Sequence, residues 1–185
     1  AWSEKIQQHL KDQGFEVIRV VAEKQALGVK NGYLHPARLG VDRFLAMIAA
    51  HQALKKNVLI VSVGTALTID LLDHVGQHHG GVIAASESFI YQAMSAQFSV
   101  LKNLEGTPGS FSNTTDDALA TGLRWMQLGA IEKALQEAKK SGMNDVSLLL
   151  CGGGAERLLK DLPAQTLYRP HLVLEGLALW AQAHS

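Results

Sequence analysis

Apolar residues recur along this chain with two periods, and the switch between them predicts its elements. Trp2, Ile6 and Leu10 are spaced by four, which predicts a helix over residues 2–13 that Gly14 ends. "FEVIRVVA", residues 15–22, is rich in β-branched side chains and predicts a strand. "LGVKNGYLHPARLG", residues 27–40, is a loop punctuated by Gly and Pro. "VDRFLAMIAAHQAL", residues 41–54, is apolar and Ala-rich, the pattern of a buried helix, with Asp42 placed to cap it.

"NVLIVSVGTALTIDLLD", residues 57–73, carries the densest β signal and predicts two strands around a tight Gly64-Thr65 turn. "HVGQHHGG" is a hairpin turn and "GVIAAS", residues 81–86, a third strand. Successive antiparallel strands differ from a βαβ nucleotide unit, in which the glycine turn opens a helix. Residues 86–101 read as helix and 103–115 as loop. A long helical region runs from Thr115, its expected cap, to Gly142, with acidic residues in its first turn. "DVSLLLCGGGAERLL", residues 145–159, predicts a strand, a glycine turn and a helix, and residues 171–185 a closing helix.

Composition narrows the class. A chain of 185 residues suffices for one large domain or two small ones, and 47% hydrophobic with 18% charged residues is ordinary for a soluble globular protein. The 17 basic and 17 acidic residues balance, so no electrostatic footprint for nucleic acid or an anionic membrane is present. No apolar run is long enough to span a bilayer, and the start lacks the pattern of a signal peptide. The single cysteine, Cys151, excludes an intramolecular disulfide and a cysteine-built metal site. It closes an apolar strand, which predicts a structural thiol in a reducing, cytoplasmic setting. The sequence opens without Met and inside a helix, the expectation for a fragment or a processed form.

Candidate chemistry lies in the turns. The Gly64-Thr65 turn offers backbone N–H groups and a hydroxyl, the donors a phosphate needs where no helix N-terminus is available, but it also reads as a plain hairpin. The glycines after Cys151 precede a helix whose N-terminus could receive an anion, or they simply make a tight connection. His74, His78 and His79 would be metal ligands on a helix; on a hairpin their spacing loses that meaning. Asp116 and Asp117 read as a solvated first helical turn, and Trp125 and Trp180 as core. Asp42, beside Arg43 at a helix start, stays ionised near neutral pH, as either a cap or a general base for a substrate hydroxyl.

Taken in order, "NGYLHPARLGVDRF", "VSVGTALTID", "HHGGVI", "TTDDALATG" and "CGGGAERL" resemble type III pantothenate kinase. That family includes the Bvg accessory factor proteins and belongs to the acetate and sugar kinase, Hsp70 and actin superfamily. The Y-x-x-P-x-x-L-G-x-D-R segment is the specific one. The resemblance implies an actin-like, ribonuclease H-like α/β fold, with residues 1–55 finishing an N-terminal domain and 56–185 forming the C-terminal one. It implies transfer of the γ-phosphoryl group of ATP to pantothenate, with Mg²⁺, as the first step of coenzyme A biosynthesis. Tyr33, Gly40, Val41, Asp42 and Arg43 would bind pantothenate, with Asp42 as catalytic base and Arg43 placing the anionic substrate. Gly64 and Thr65 would bind ATP, and Thr115 would reach the substrate from the other subunit of a homodimer whose interface lies near residues 115–140. Neither nucleic acid nor membrane is an expected partner.

The sequence departs from the family pattern at several places. The D-x-G-N-[ST] strand with which the family begins has no counterpart, so an N-terminal part of the fold is expected to lie outside this sequence. Ser62 stands where the family commonly has the Asp that ligates an activating monovalent cation, K⁺ or NH₄⁺; a serine also occurs there in Bvg accessory factor-like members, the branch this chain resembles. Ala85-Ser86 replaces a Pro-Gly, and Phe44 a Trp. The alternative expectation is a non-catalytic accessory or regulatory dimer of the same fold.

Overall fold

The structure is a computed structural model that describes residues 2–103 and 105–184. Helix α1 (Trp2–Asp12) ends at Gly14, whose φ of +84° is the left-handed conformation that a glycine adopts without penalty. The expected strand over 15–22 does not form. Among the described residues no strand lies beside this segment, and Phe15, Ile18 and Val21 are exposed. β-Branched side chains favour a strand only where a neighbour accepts its ladder and covers one face.

The loop that follows contains a minimal hairpin, β1 (Gln25–Ala26) and β2 (Val29–Lys30), and a 3₁₀ turn at Pro36–Arg38. Helix α2 (Val41–Leu54) follows. A mixed sheet occupies the centre: β3 (Val58–Val63), β4 (Ala66–Leu72), β5 (His78–Ala85), β6 (Ser147–Cys151) and β7 (Leu167–Tyr168), in the order β5-β4-β3-β6-β7. The β3-β4-β5 meander is antiparallel, with a register shift between Asp70 and Leu72; β6 runs parallel to β3, and β7 parallel to β6. The third strand begins earlier than the sequence implied, because the turn is confined to residues 74–76; His78 pairs with Leu72, and His79 falls in the irregularity before Gly81 pairs with Asp70.

Strand periodicity divides the core into two. Val58, Ile60, Leu72, Leu149 and Cys151 face α2 and α5 (Leu172–Ala183). Leu59, Val61, Val63, Leu67, Ile69, Leu148 and Leu150 face Ile131 of α4 (Thr115–Lys140) and Leu158 of a 3₁₀ helix, Ala155–Asp161. Central strands buried on both faces need apolar residues at every position, which explains the unbroken run "VLIV". Helix α2 lies between the sheet and α5, so its apolar surface covers most of its circumference. Gly176 of α5 rests on the Leu45 carbonyl of α2, where any side chain would collide.

Several local expectations shift. The cap of α4 is Thr114, not Thr115: its Oγ1 accepts the Asp117 N–H at 3.2 Å. The segment after the Gly152–Gly154 turn is a 3₁₀ helix, not an α-helix. Within the helical stretch 86–101, Ser86 is the cap of α3 (Glu87–Gln97). Trp180 is buried and donates Nε1–H to Glu23 at 2.8 Å. Trp125 is not core; it is 46% exposed and meets the Phe111 ring edge-on.

In its last turn α2 buries His51, whose ring packs on the backbones of Gly28 and Gly76. Burial, and then the Lys55 charge, push its pKa below 6.5, against the weaker pull of Asp73. The unfolded chain therefore takes up a proton that the folded chain refuses. Stability should be full above about pH 7 and fall as the pH drops through 6.5 toward the lowered value. Thermal midpoints measured across that range should show the decline, and His51→Gln should flatten it. An unchanged slope in the variant would assign the effect to other groups.

Candidate active site

Strands β3 and β6 run parallel and end at the same edge of the sheet, where each enters a glycine turn. The carboxyl ends of parallel strands are where ligands bind in open α/β sheets. The two turns are joined through one backbone oxygen. Gly154 N–H donates to the Val63 carbonyl at 3.0 Å. Gly152, at φ +88°, passes so close to the same carbonyl that a Cβ would sit 2.6 Å from it. The Gly64-Thr65 turn is exposed, and its shape is held by Gly64 N–H donating to the Ala66 carbonyl at 3.0 Å. Ser86 supports it from the side: its hydroxyl donates to the Thr65 carbonyl at 2.8 Å and accepts the Phe89 N–H at 3.2 Å. The serine of the Ala85-Ser86 pair thus ties α3 to the turn.

Ser62 is half-buried just inside this edge and hydrogen-bonds the Cys151 thiol. Burial raises the Cys151 pKa, so the thiol stays protonated and unreactive.

The second component is the entry to α2. Asn31 organises the preceding loop: its amide donates to the carbonyls of Glu23 and Pro36, both at 3.1 Å, and its Oδ1 accepts the Tyr33 N–H at 3.0 Å. Gly40 is the N-cap residue, so Asp42 falls in the first helical turn rather than at the cap, and no side-chain cap bond forms. The exposed Asp42 carboxylate folds back over Gly40, where a Cβ would lie 2.5 Å from its Oδ1. The glycine therefore makes room for the acid. The carboxylate sits at the positive end of the helix dipole, among the unpaired N–H groups of the first turn.

The next residue points the other way, into the protein. Arg43 forms a two-point ion pair with Asp70 of β4: Nε donates to Oδ2 at 2.8 Å and Nη2 to Oδ1 at 2.6 Å. Its Nη1 donates to the Tyr33 hydroxyl at 2.7 Å. The Arg43, Asp70 and His78 side chains are 5%, 3% and 0% exposed. His78 Nε2 lies 3.0 Å from Asp70 Oδ1, and Gly32 N–H approaches His78 Nδ1 at 3.4 Å. With Nδ1 accepting from Gly32, Nε2 carries the hydrogen and donates it to Asp70. The His78 ring stacks on Tyr33, with centroids 5.8 Å apart and planes at 16°. Four side chains from the 31–40 loop, α2, β4 and β5 thus close into a ring.

Burial opposes the charge on both partners of the ion pair, and mutual contact overrides it. The Asp70 carboxyl is held below its ordinary pKa by His78 and Arg43, and the Arg43 guanidinium is held protonated by Asp70 and Tyr33. Glycines accommodate the ring: a side chain on Gly81 would meet Asp70 Oδ1, the Ile69 carbonyl and the Arg43 guanidinium, and one on Gly32 would meet the His78 carbonyl.

Tyr33 is joined to Arg43 by a hydrogen bond, and Gly40, Val41, Asp42 and Arg43 follow one another at the start of α2. Thr115 lies at the exposed start of α4, and among the described residues no hydrogen bond joins it to the 31–43 loop. The three turn histidines do not act together: His78 faces Asp70, His79 reaches Asp73 at 2.8 Å, and His74 contacts Asn57. The sequence reading missed Asp70 and the role of His78. The available signal was an acid in the middle of "ALTIDLL", on a strand whose other inward positions are apolar or Thr. A charge in that place requires a buried partner.

Comparison with known proteins gives a consistent result. A family model described as type III pantothenate kinase matches residues 2–137. The type III pantothenate kinase of Stenotrophomonas maltophilia (strain K279a) is 46% identical over 168 residues, covering 90% of this chain and 68% of that protein. That of Xylella fastidiosa (strain M23) is 45% identical over the same shares. Among solved structures, a conserved protein from Campylobacter jejuni, titled as a Baf family transcriptional activator, aligns with a TM-score of 0.69 at 22% identity, over 98% of this chain and 79% of that one. The activator of 2-hydroxyisocaproyl-CoA dehydratase from Clostridium difficile, solved with bound ADPNP, aligns at 0.51 and 12% identity over 98% and 81%. These likenesses show the fold: the actin-like ATPase, ribonuclease H-like α/β architecture.

Gly81 has no left-handed φ, so its requirement is steric. Gly81→Ala should cost about 1–3 kcal/mol, since the Ile69 backbone cannot move aside. Urea unfolding measures it; a variant as stable as the parent would show that the ion pair tolerates displacement.

Proposed function

The chain belongs to the type III pantothenate kinase family, and we propose that Asp42 is the residue that takes the proton from the substrate hydroxyl. The family phosphorylates pantothenate with ATP, the first step of coenzyme A biosynthesis. The observation that carries the assignment is the setting of Asp42: an exposed carboxylate in the first turn of a helix, folded over Gly40, beside a buried, ion-paired Arg43. A general base must be reachable by the substrate hydroxyl, and the exposed position of Asp42 provides that.

In this reading Tyr33 and the Gly40-to-Arg43 segment form the pantothenate end of the site. Arg43, with its guanidinium spent on Asp70 and Tyr33, serves by fixing Tyr33 and retains N–H capacity toward an anion. Gly64 and Thr65 form the ATP end, with the Thr65 N–H and hydroxyl as donors and the Gly64 N–H holding the turn, braced by Ser86 and by the neighbouring glycine turn. Phosphoryl transfer depends on positioning and charge neutralisation, which such rigid turns supply. Mg²⁺ is held mostly by phosphates and water, so bound ATP would supply most of its ligands.

The division at residues 55 and 56 belongs to the same reading, with the five-stranded unit from β3 to α5 as the C-terminal domain and α2 resting on it from the N-terminal one. So does the homodimer, in which Thr115 is contributed to the partner's site. Exposed Trp125 and Met126 on α4, beside Phe111, support an interface there. A non-catalytic accessory role is not favoured, since the curated relatives are named as kinases. Among the described residues no helix is long and apolar enough to cross a membrane.

Asp42→Asn should lower kcat by roughly two or more orders of magnitude in a coupled ADP-release assay with pantothenate. A near-normal rate would remove Asp42 from the role of base.

We also propose that turnover does not require a monovalent cation. Ser62 offers a neutral hydroxyl, engaged with Cys151, where a carboxylate would be the natural ligand. Rates in potassium, ammonium and tetramethylammonium salts of equal ionic strength should agree. Strong, saturable activation by potassium would refute this.

A further inference from the structure

The closed ring of Arg43, Asp70, His78 and Tyr33 is a poor device for stability. A buried ion pair roughly offsets its own desolvation, and apolar residues of similar volume often serve the fold as well or better. What it does provide is geometry. The two-point contact with Asp70 fixes the plane of the guanidinium, and that plane aims Nη1 at the Tyr33 hydroxyl. His78 holds Asp70 through Nε2 and backs Tyr33 with its stacked ring. Asp42 is covalently next to Arg43, so the same anchor sets the first turn of α2.

We propose that Asp70 is a positioning residue for the pantothenate end of the site, acting through Arg43 on Tyr33 and the Asp42 turn, with His78 as its second support. The inference rests on the reading of Tyr33 and residues 40–43 as the substrate end. It assigns a function to a carboxylate 3% exposed, which cannot itself touch substrate. The ATP turns hang on Val63, Ser86 and the 152–154 glycines and do not contact the ring by any hydrogen bond among the described residues. Loss of the ring should therefore be felt by one substrate and not the other.

Steady-state kinetics of the active enzyme, with pantothenate and ATP varied separately, tests this. Asp70→Asn should raise the pantothenate KM on the order of tenfold to a hundredfold, the scale of an ångström-sized misplacement, and leave the ATP KM unchanged. Arg43→Lys should produce the same split. The double variant should lose no more than either single one, because the two side chains act as a unit. If Asp70→Asn does not fold, His78→Gln takes its place: it keeps an amide donor toward Asp70, removes the stacked ring, and should also raise only the pantothenate KM. Equal losses for both substrates, additive losses in the double variant, or an unchanged pantothenate KM would each overturn the proposal. Asp42→Asn in the same assay separates the two readings. If it abolishes turnover while Asp70→Asn leaves KM untouched, the positioning role alone fails. If it is harmless while Asp70→Asn shifts the pantothenate KM, the base assignment fails and the positioning role stands.

Discussion

The pairing of Arg43 with Asp70 fixes how the N-terminal loop and α2 meet the sheet. A guanidinium and a carboxylate that are both almost fully buried have no acceptable alternative to each other, since an unpaired charge in that environment costs several kcal/mol. The pair therefore acts as a register pin. It ties the start of α2 to one position on β4, and the loop that carries Asn31, Tyr33 and Gly40 has to arrive in step. The apolar contacts between α2, α5 and the sheet supply the bulk of the burial, but such contacts tolerate sliding in a way that a two-point ion pair does not.

Around that pin the architecture has two polar ends. One end is a loop and a helix start, polar and anchored from below. The other is a pair of turns at the carboxyl edge of β3 and β6, built from backbone and braced by Ser86. In the proposed reading these ends serve acceptor activation and phosphate binding, two tasks with separate supports. Helices on both faces leave that strand edge as the open side of the central layer.

Much of this was legible in the amino-acid order. The two strands around Gly64-Thr65, the buried α2, the long α4 and the closing helix follow from periodicity strong enough to survive any tertiary context. So does the clustering of Tyr33 with residues 40–43, because those residues are close in sequence. What could not be read was relational. The β-rich segment 15–22 stayed irregular because a strand needs a neighbour, which a local pattern cannot supply. Asp42 was displaced from the cap because Gly40, with no side chain, took that place and left room for the acid above it. Helical spacing alone places Trp125 in the core, but it lies on an exposed face of α4 against Phe111. Asp70 and His78 were the larger omission. Their meaning depends on Arg43, distant in sequence and on another element, although a lone acid in an apolar strand was a hint.

The Val63 carbonyl, shared by the two glycine turns, has a consequence for how this protein can vary. The lock is made of main-chain atoms, so no substitution at position 63 deletes it; aliphatic exchange there changes only packing. Its vulnerability lies at Gly152 and Gly154, whose merit is the side chain they lack. Drift should therefore be permitted on the strand that provides the oxygen and forbidden on the turn that approaches it. Two contacting segments would then show opposite tempos of change, one set by volume and the other by the absence of a single carbon atom.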